Sequence, residues 1–223
     1  MKIKGAIFDC DGTLIDSLGF WRIFYEMFGE RYFNDKSFWP AEEDDHAMRT
    51  QNTEFLGRLL HSKYGVGENA EEIRDWFYDR LGWYYNEVVQ LKPGVRELLE
   101  HLQRVGVKMC IASASEIDMV KGILRRHGVL DYFCDVVSCT EAGAGKDKPD
   151  VFLLAEKRLG TPLGETFVFE DSTLAIQTAK KAGFPVVGVY DANTFGQDIA
   201  KESADLYVDN GSSFVAILPH LEA

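Results

Sequence analysis

The sequence predicts an α/β fold: a Rossmann-like parallel sheet with helices on both faces, plus an α-helical cap inserted after the first strand. Three observations predict it. Short apolar runs rich in β-branched and aromatic residues recur along the chain, and they are continuous rather than alternating, as in strands buried on both faces. Amphipathic stretches with helical spacing separate them, which is the βαβ pattern of a parallel sheet. One long interval, from about residue 17 to residue 91, interrupts the alternation with helical patterns alone.

The strands are expected at residues 3–8, 107–112, 136–139, 166–169, 186–189 and 206–208. Between them, Val95, Leu98, Leu99 and Leu102 make one helical face, and Met119, Val120, Ile123 and Leu124 a second. Phe152, Leu153, Ala155 and Leu159 make a third, and Leu174, Ile176, Ala179 and Ala182 a fourth. In the interrupting segment Trp21, Phe24, Tyr25 and Phe28 fall at i, i+3, i+4 and i+7, the spacing of one helix face. Phe55, Leu56, Leu59 and Leu60 repeat it, as do Ile73, Phe77, Leu81 and Tyr84. Lys92-Pro93-Gly94 then reopens the strand–helix alternation. The expected division is an α/β core of residues 1–16 and 92–223 and a helical cap of residues 17–91.

Composition bounds the function. The chain has 223 residues, 46% hydrophobic and 27% charged, which excludes disorder. No apolar run approaches the ~18 residues of a bilayer span, and the N-terminus lacks a signal-peptide pattern. With 24 Lys and Arg against 36 Asp and Glu, the net charge is −12, which repels nucleic acid and anionic membranes. The densest basic cluster is Arg125-Arg126-His127. Neither nucleic acid nor membrane is expected as a partner. Cys10, Cys110, Cys134 and Cys139 are scattered through apolar segments, as suits reduced thiols and a cytoplasmic location. Cys134 and Cys139 lack the companions of a zinc site. The acidic run at residues 42–45 lacks EF-hand spacing and is expected to be a solvated helix start or loop.

Chemistry concentrates where the strands end, since ligands of open parallel sheets bind outside the carboxyl ends of strands. The first strand runs into Asp9-Cys10-Asp11-Gly12-Thr13-Leu14; alone, this could equally be a turn. The second ends in Ser113-Ala114-Ser115, and Ser115-x-x-Asp118 fits a capping box. The same geometry leaves Ser113 and helix N-terminal amides facing an anion. After the third comes Gly143-Ala144-Gly145-Lys146-Asp147-Lys148-Pro149-Asp150. It is not a P-loop, because no Ser or Thr follows Lys146; Asp150 could cap the next helix. The fourth ends in Glu170-Asp171-Ser172. Four strand ends that supply paired acids, hydroxyls, lysines and paired acids are poorly explained as caps alone.

This set resembles the four motifs of the haloacid dehalogenase superfamily, in the helical-cap branch that holds β-phosphoglucomutase and many small-molecule phosphatases. Asp9-x-Asp11-Gly12-Thr13-Leu14-x-Asp16-Ser17 matches the first motif, Ser113 the second, Lys148-Pro149 the third and Glu170-Asp171-Ser172 the fourth. Pro93-Gly94-Val95 matches as well. The third motif reads Lys-Pro-Asp, shorter than the usual Lys-Pro-x-Pro-Asp, which keeps Lys146 as a second candidate for the catalytic lysine. Ala175 stands where glycine is common.

The resemblance implies a Mg2+-dependent phosphatase. Phosphoryl transfer needs an in-line nucleophile, charge neutralisation and a proton for the leaving oxygen. Asp9 can form an aspartyl-phosphate, and Asp11 can serve as general acid and then base. Asp9, Asp11, Glu170 and Asp171 together would repel a phosphate dianion, so a hard divalent cation is required, and an all-oxygen site favours Mg2+. The resemblance assigns the cation to Asp9, the Asp11 carbonyl and Asp171, with Glu170 nearby. The expected phosphate-binding set is Asp9, Gly12, Ser113, Ala114 and Lys148.

Asp11 argues against dehalogenation, which needs no general acid, and the cap offers only Lys36 and Lys63 for Schiff-base chemistry. A hexose-phosphate mutase is the alternative. It needs a second phosphate site in the cap, whose eight basic and fourteen acidic residues give a net −6; Arg49 and His46 are the candidates there. A non-catalytic phosphate sensor would have no use for Asp11. The expectation is a monomeric hydrolase of a small phosphorylated metabolite, with the cap closing over the site.

Overall fold

The computed structural model describes residues 1–222, the Thr50 side chain apart. In chain order the elements are β1 (Gly5–Phe8), α1 (Phe20–Phe33), α2 (Glu42–Thr50), α3 (Thr53–Tyr64), α4 (Ala70–Trp83), α5 (Val95–Arg104), β2 (Lys108–Ser113) and α6 (Ile117–Arg126). There follow β3 (Asp135–Ser138), the single turn α7 (Cys139–Ala142), α8 (Asp150–Leu159), β4 (Thr166–Glu170), α9 (Thr173–Lys181), β5 (Val186–Val189), α10 (Gln197–Ser203) and β6 (Leu206–Val208). The chain divides into two compact units, residues 1–18 with 89–223 and residues 19–88. No helix among the described residues is long and apolar enough to cross a membrane.

The first unit is a Rossmann-like α/β layer structure. Its six strands are ordered β3-β2-β1-β4-β5-β6 and pair in parallel throughout. Every residue of β1 and β4 is buried, as expected of central strands covered on both faces. Phe8 lies level with Ile111 of β2 and Phe169 of β4. The chain therefore runs outward from β1 in both directions, which makes the end of β1 a topological switch point.

The helices of this unit present mostly the expected faces. Val95, Leu98, Leu99 and Leu102 of α5 are all buried. Two residues depart. Leu153 and Leu174 face outward, and the buried stripes run instead through Val151, Phe152, Ala155 and Leu159 of α8 and through Ala175, Ile176 and Ala179 of α9. At 100° per residue, each leucine lies about 100° beyond the edge of the buried arc, on the opposite side of its helix. The third strand stops at Ser138 rather than residue 139, because the Ser138 hydroxyl accepts from Glu141 N at 3.1 Å and caps α7. Arg126 and His127, from the basic cluster, both bond the carbonyl of Val89.

The second unit is helical. Asn52 and Asn69 begin α3 and α4, accepting from Phe55 N at 2.9 Å and Glu72 N at 2.8 Å, as good N-caps do. Gly57 lets these two helices approach: a Cβ there would lie 2.3 Å from the Ala70 carbonyl oxygen. Phe20, Phe24, Tyr25 and Phe28 form the buried face of α1, and the Phe24 and Phe77 rings meet edge-on at 5.0 Å. The acidic run at 42–45 opens α2 but is solvated only in part. Asp44 is buried against Lys63 (2.8 Å) and Tyr64 (2.6 Å), and Asp45 takes bonds from Tyr25 (2.7 Å) and Arg49 (2.6 Å).

Candidate active site

Asp9 follows β1 directly, and its N–H donates to Phe169 O at 2.9 Å. This places it at the switch point between β1 and β4. The loop then turns at Gly12, which has a left-handed φ of +81°. An added Cβ there would lie 2.7 Å from the Asp171 carboxylate, so only glycine lets the chain pass this close. From the end of β4 come Glu170 and Asp171. From the loop between α7 and α8 comes Lys146, whose ammonium contacts Asp9 Oδ1 and, at 2.6 Å, Glu170 Oε1.

Asp9, Glu170 and Asp171 are all buried, and each can offer an oxygen within 4.8 Å of the others. Glu170 Oε2 accepts from the N–H groups of Asp171 (2.7 Å) and Ser172 (3.0 Å). Asp171 accepts from the hydroxyls of Thr13 (3.1 Å) and Thr194. Asp11 lies beside the cluster without joining it. Its two carboxylate oxygens accept from Ser17 and Ser115, each at 2.7 Å.

Burial pushes the Asp9 carboxyl well above its ordinary range; Lys146 opposes this, while Glu170, Asp171 and Asp11 add to it. Burial and then Glu170 push Asp171 up to about 8, against the Thr194 hydroxyl and Lys92. For Lys146 burial works against the charge, but Asp9 and Glu170 outweigh it and hold the ammonium protonated. Asp9 and Asp171 are thus costly to ionise where they lie. The donor set is all oxygen, buried and short of positive charge, which fits a hard divalent ion such as Mg2+.

The structure brings together Asp9, Glu170 and Asp171 as one cluster, with Asp11 adjoining it. Ser113 ends β2, buried, and its hydroxyl accepts from Ser115 N at 3.0 Å. Ala114 follows it and is exposed. Lys146, and not the expected Lys148, reaches the carboxylates. Lys148 is exposed, because its N–H closes a turn onto Gly145 O at 3.1 Å that sends it away from the cluster. The signal lies in the spacing: Lys146, the lysine that reaches the carboxylates, stands four residues before Asp150, the span of Lys-Pro-x-Pro-Asp.

Two capping readings also change. Ser115 makes no cap, since its hydroxyl goes to Asp11 and Glu116 stands at the N-cap without a side-chain bond. Asp150 is the first residue of α8, behind an N-cap Pro149 that also lacks one. Thr13, Ser17 and Thr194 join the site beyond the expected set. The first two lie inside the first motif. Thr194 follows β5, far from any motif, and nothing local marks it.

A family model described as haloacid dehalogenase-like hydrolase matches residues 3–183. The chain is 33% identical over 200 residues to a protein of Drosophila melanogaster named "Probable pseudouridine-5'-phosphatase", covering 85% of this chain and 83% of that one. It is 27% identical over 205 residues to the phosphorylated carbohydrates phosphatase of Thermotoga maritima, covering 91% and 92%. The crystal structure of CbbY from Rhodobacter sphaeroides with phosphate has the same fold, with a TM-score of 0.73 at 22% identity, covering 97% of this chain and 96% of that one. These two curated relatives are phosphatases by name, and with a family model spanning most of its length, this chain belongs to the haloacid dehalogenase-like hydrolases.

Proposed function

We propose that the chain is a Mg2+-dependent phosphomonoester hydrolase that acts on a small phosphorylated metabolite through an aspartyl-phosphate. The observation that carries this reading is the buried meeting of Asp9, Lys146, Glu170 and Asp171 at the carboxyl edge of the sheet, with Asp11 alongside. Asp9 attacks phosphorus in line, and the new P–O bond forms as the bond to the leaving alkoxide breaks. Asp11 gives its proton to the departing oxygen. Water then attacks the same phosphorus, Asp11 takes the water's proton, and the bond to Asp9 breaks to release inorganic phosphate. The hydroxyls of Ser17 and Ser115 both donate and accept, so they can hold Asp11 in either protonation state.

Lys146 neutralises charge on the nucleophile and on the transferring oxygens. Ser113 and the Ala114 N–H supply the remaining phosphate donors; the Gly12 N–H is already engaged by Ile15 O at 3.0 Å, so Gly12 serves by its turn. Asp9, Glu170 and Asp171, with the main-chain oxygen of Asp11, would hold the cation. When bound, Mg2+ neutralises these acids and offsets the charge of the incoming phosphate. Hydrolysis is favoured over a mutase because Arg49, the basic candidate for a second phosphate, is already paired with Asp45 at 2.6 Å and lies 5.5 Å over the Trp21 ring.

The test is p-nitrophenyl phosphate turnover with and without Mg2+. Wild-type activity is expected to require the metal, and Asp9→Asn should lower kcat on the order of ten-thousand-fold. Retained turnover in that variant would mean that another group is the nucleophile. Conversion of β-glucose 1-phosphate to the 6-phosphate with a bisphosphate primer would replace the hydrolase reading by the mutase.

A further inference from the structure

Thr194 lies outside every motif, yet its hydroxyl donates to Asp171 Oδ2 while that of Thr13 donates to Oδ1. Asp171 is 4% exposed, so water has little access to replace either donor. The loop that carries Thr194, between β5 and α10, is anchored at several points. Asp191 Oδ1 accepts from Asn193 N at 2.8 Å, and Thr194 N closes the turn onto Asp191 O at 3.2 Å. Asp191 Oδ2 pairs with Lys92 at 2.8 Å, both side chains being almost wholly buried, and Lys92 also donates to Tyr190 O at 2.7 Å. The Thr173 hydroxyl bonds the carbonyls of Phe195 (3.0 Å) and Gly196 (2.9 Å).

A buried ion pair contributes little net stability compared with apolar residues of the same shape. What the Lys92–Asp191 pair does in this loop is fix one conformation, the one that aims Thr194 at Asp171. We propose that Thr194 is a positioning residue: its hydroxyl, aimed by the Lys92–Asp191 pair, fixes the orientation of the Asp171 carboxylate for the cation. This rests on the reading of Asp171 as a cation ligand. Each carboxylate oxygen has two lone pairs. The two threonines take one on each oxygen and leave one on each for the metal. Without Thr194 the carboxylate is free to turn about its broad terminal torsion, and the metal meets a ligand that must first be ordered.

The experiment is Mg2+ titration by isothermal calorimetry on the full chain, beside p-nitrophenyl phosphate turnover at saturating Mg2+. Thr194→Val keeps the shape and removes the hydroxyl; its Mg2+ Kd should rise about 10–100-fold, the usual loss for a group that orients a ligand, with kcat largely recovered at saturation. Thr194→Ser should restore affinity close to wild type. Asp171→Ala should abolish tight binding. Wild-type affinity in Thr194→Val, beside an Asp171→Ala variant that no longer binds, overturns the positioning role and leaves the proposed function standing. Wild-type affinity in Asp171→Ala overturns the ligand reading itself. The paired change Lys92→Met with Asp191→Asn avoids stranding a buried charge. It should weaken Mg2+ binding in the same direction, and adding Thr194→Val should cost little more. Fully additive losses would overturn the role of the pair.

Discussion

Asp44 in α2 and Asp171 after β4 are 5% and 4% exposed, one in each unit of the chain. At Asp44 burial pushes the carboxyl up, but the Lys63 ammonium and the Tyr64 hydroxyl outweigh it and hold it below the ordinary range. Lys63 is itself about half exposed, so that pair keeps one side in water. At Asp171 burial and the neighbouring Glu170 win, and the carboxyl stands at about 8. The nearest ammonium in its cluster is spent on Asp9 and Glu170. An acid with a structural task receives its counter-charge from the chain. The acids at the sheet edge are left short of it, as suits the proposed role in holding a cation beside a phosphate.

Packing differs in degree. The helical unit is held by rings, with Phe24 against Phe77 at 5.0 Å and Phe28 against Tyr32 at 4.8 Å. The central strands of the sheet unit mix aliphatic side chains such as Ile7, Ile111 and Val168 with Phe8 and Phe169, whose rings stack at 4.3 Å. Rigid strands then deliver polar residues to one edge.

The contrast between paired and underpaired acids is open to direct attack. Lys146→Ala removes the ammonium in contact with Asp9 and Glu170 and should lower kcat on the order of a hundred- to a thousand-fold, the scale of losing a donor aimed at developing charge. Lys148→Ala should leave turnover near wild type. Equal losses in the two variants would erase the distinction. A smaller effect separates the two aspartates. In metal-free protein at about pH 8.5, where the Asp171 carboxyl at about 8 is largely ionised, Asp171→Asn should raise Tm by relieving repulsion. Asp44→Asn should lower it by weakening the bonds to Lys63 and Tyr64. Each change should be a few degrees, at ~2–4 °C per kcal/mol for a chain of this size; shifts of the same sign would refute the comparison.

The smallest effect is on pH dependence. Without metal, native Asp171 keeps its proton to about pH 8, whereas the unfolded chain loses it near its ordinary value of 3.8. Between these values the native state binds more protons, so this contribution to stability falls as pH rises and is level above the window. Asp9, raised by the same burial, acts with the same sign. Calorimetric Tm of the metal-free protein should therefore decline from pH 5 to pH 8, and saturating Mg2+ should flatten the decline. A metal-free Tm that climbs over that range would show the acids to be neutralised within the fold.

Much of this was legible from residues alone. Strands buried on both faces must be apolar throughout, so Asp9, Asp11, Glu170 and Asp171 stand out by following such runs directly. Leu153 and Leu174 depart because each is apolar and adjacent in sequence to a stripe residue, yet adjacent residues on a helix point about 100° apart. Lys148 misled because the choice between two lysines two positions apart depends on how one turn at Gly145 folds.

The layer architecture, the helical interval and the acids at the sheet edge are written in the residues, because they depend on local period, charge and turn chemistry. That Lys146 points inward, that Ser115 serves Asp11 rather than its own helix, and that Thr194 holds Asp171 emerge with the folded chain. The physical reason is the strand order. Setting β1 between β2 and β4, with β5 next, makes neighbours of loops that are remote along the chain, and a contact between such loops has no periodic trace in the residues that form it.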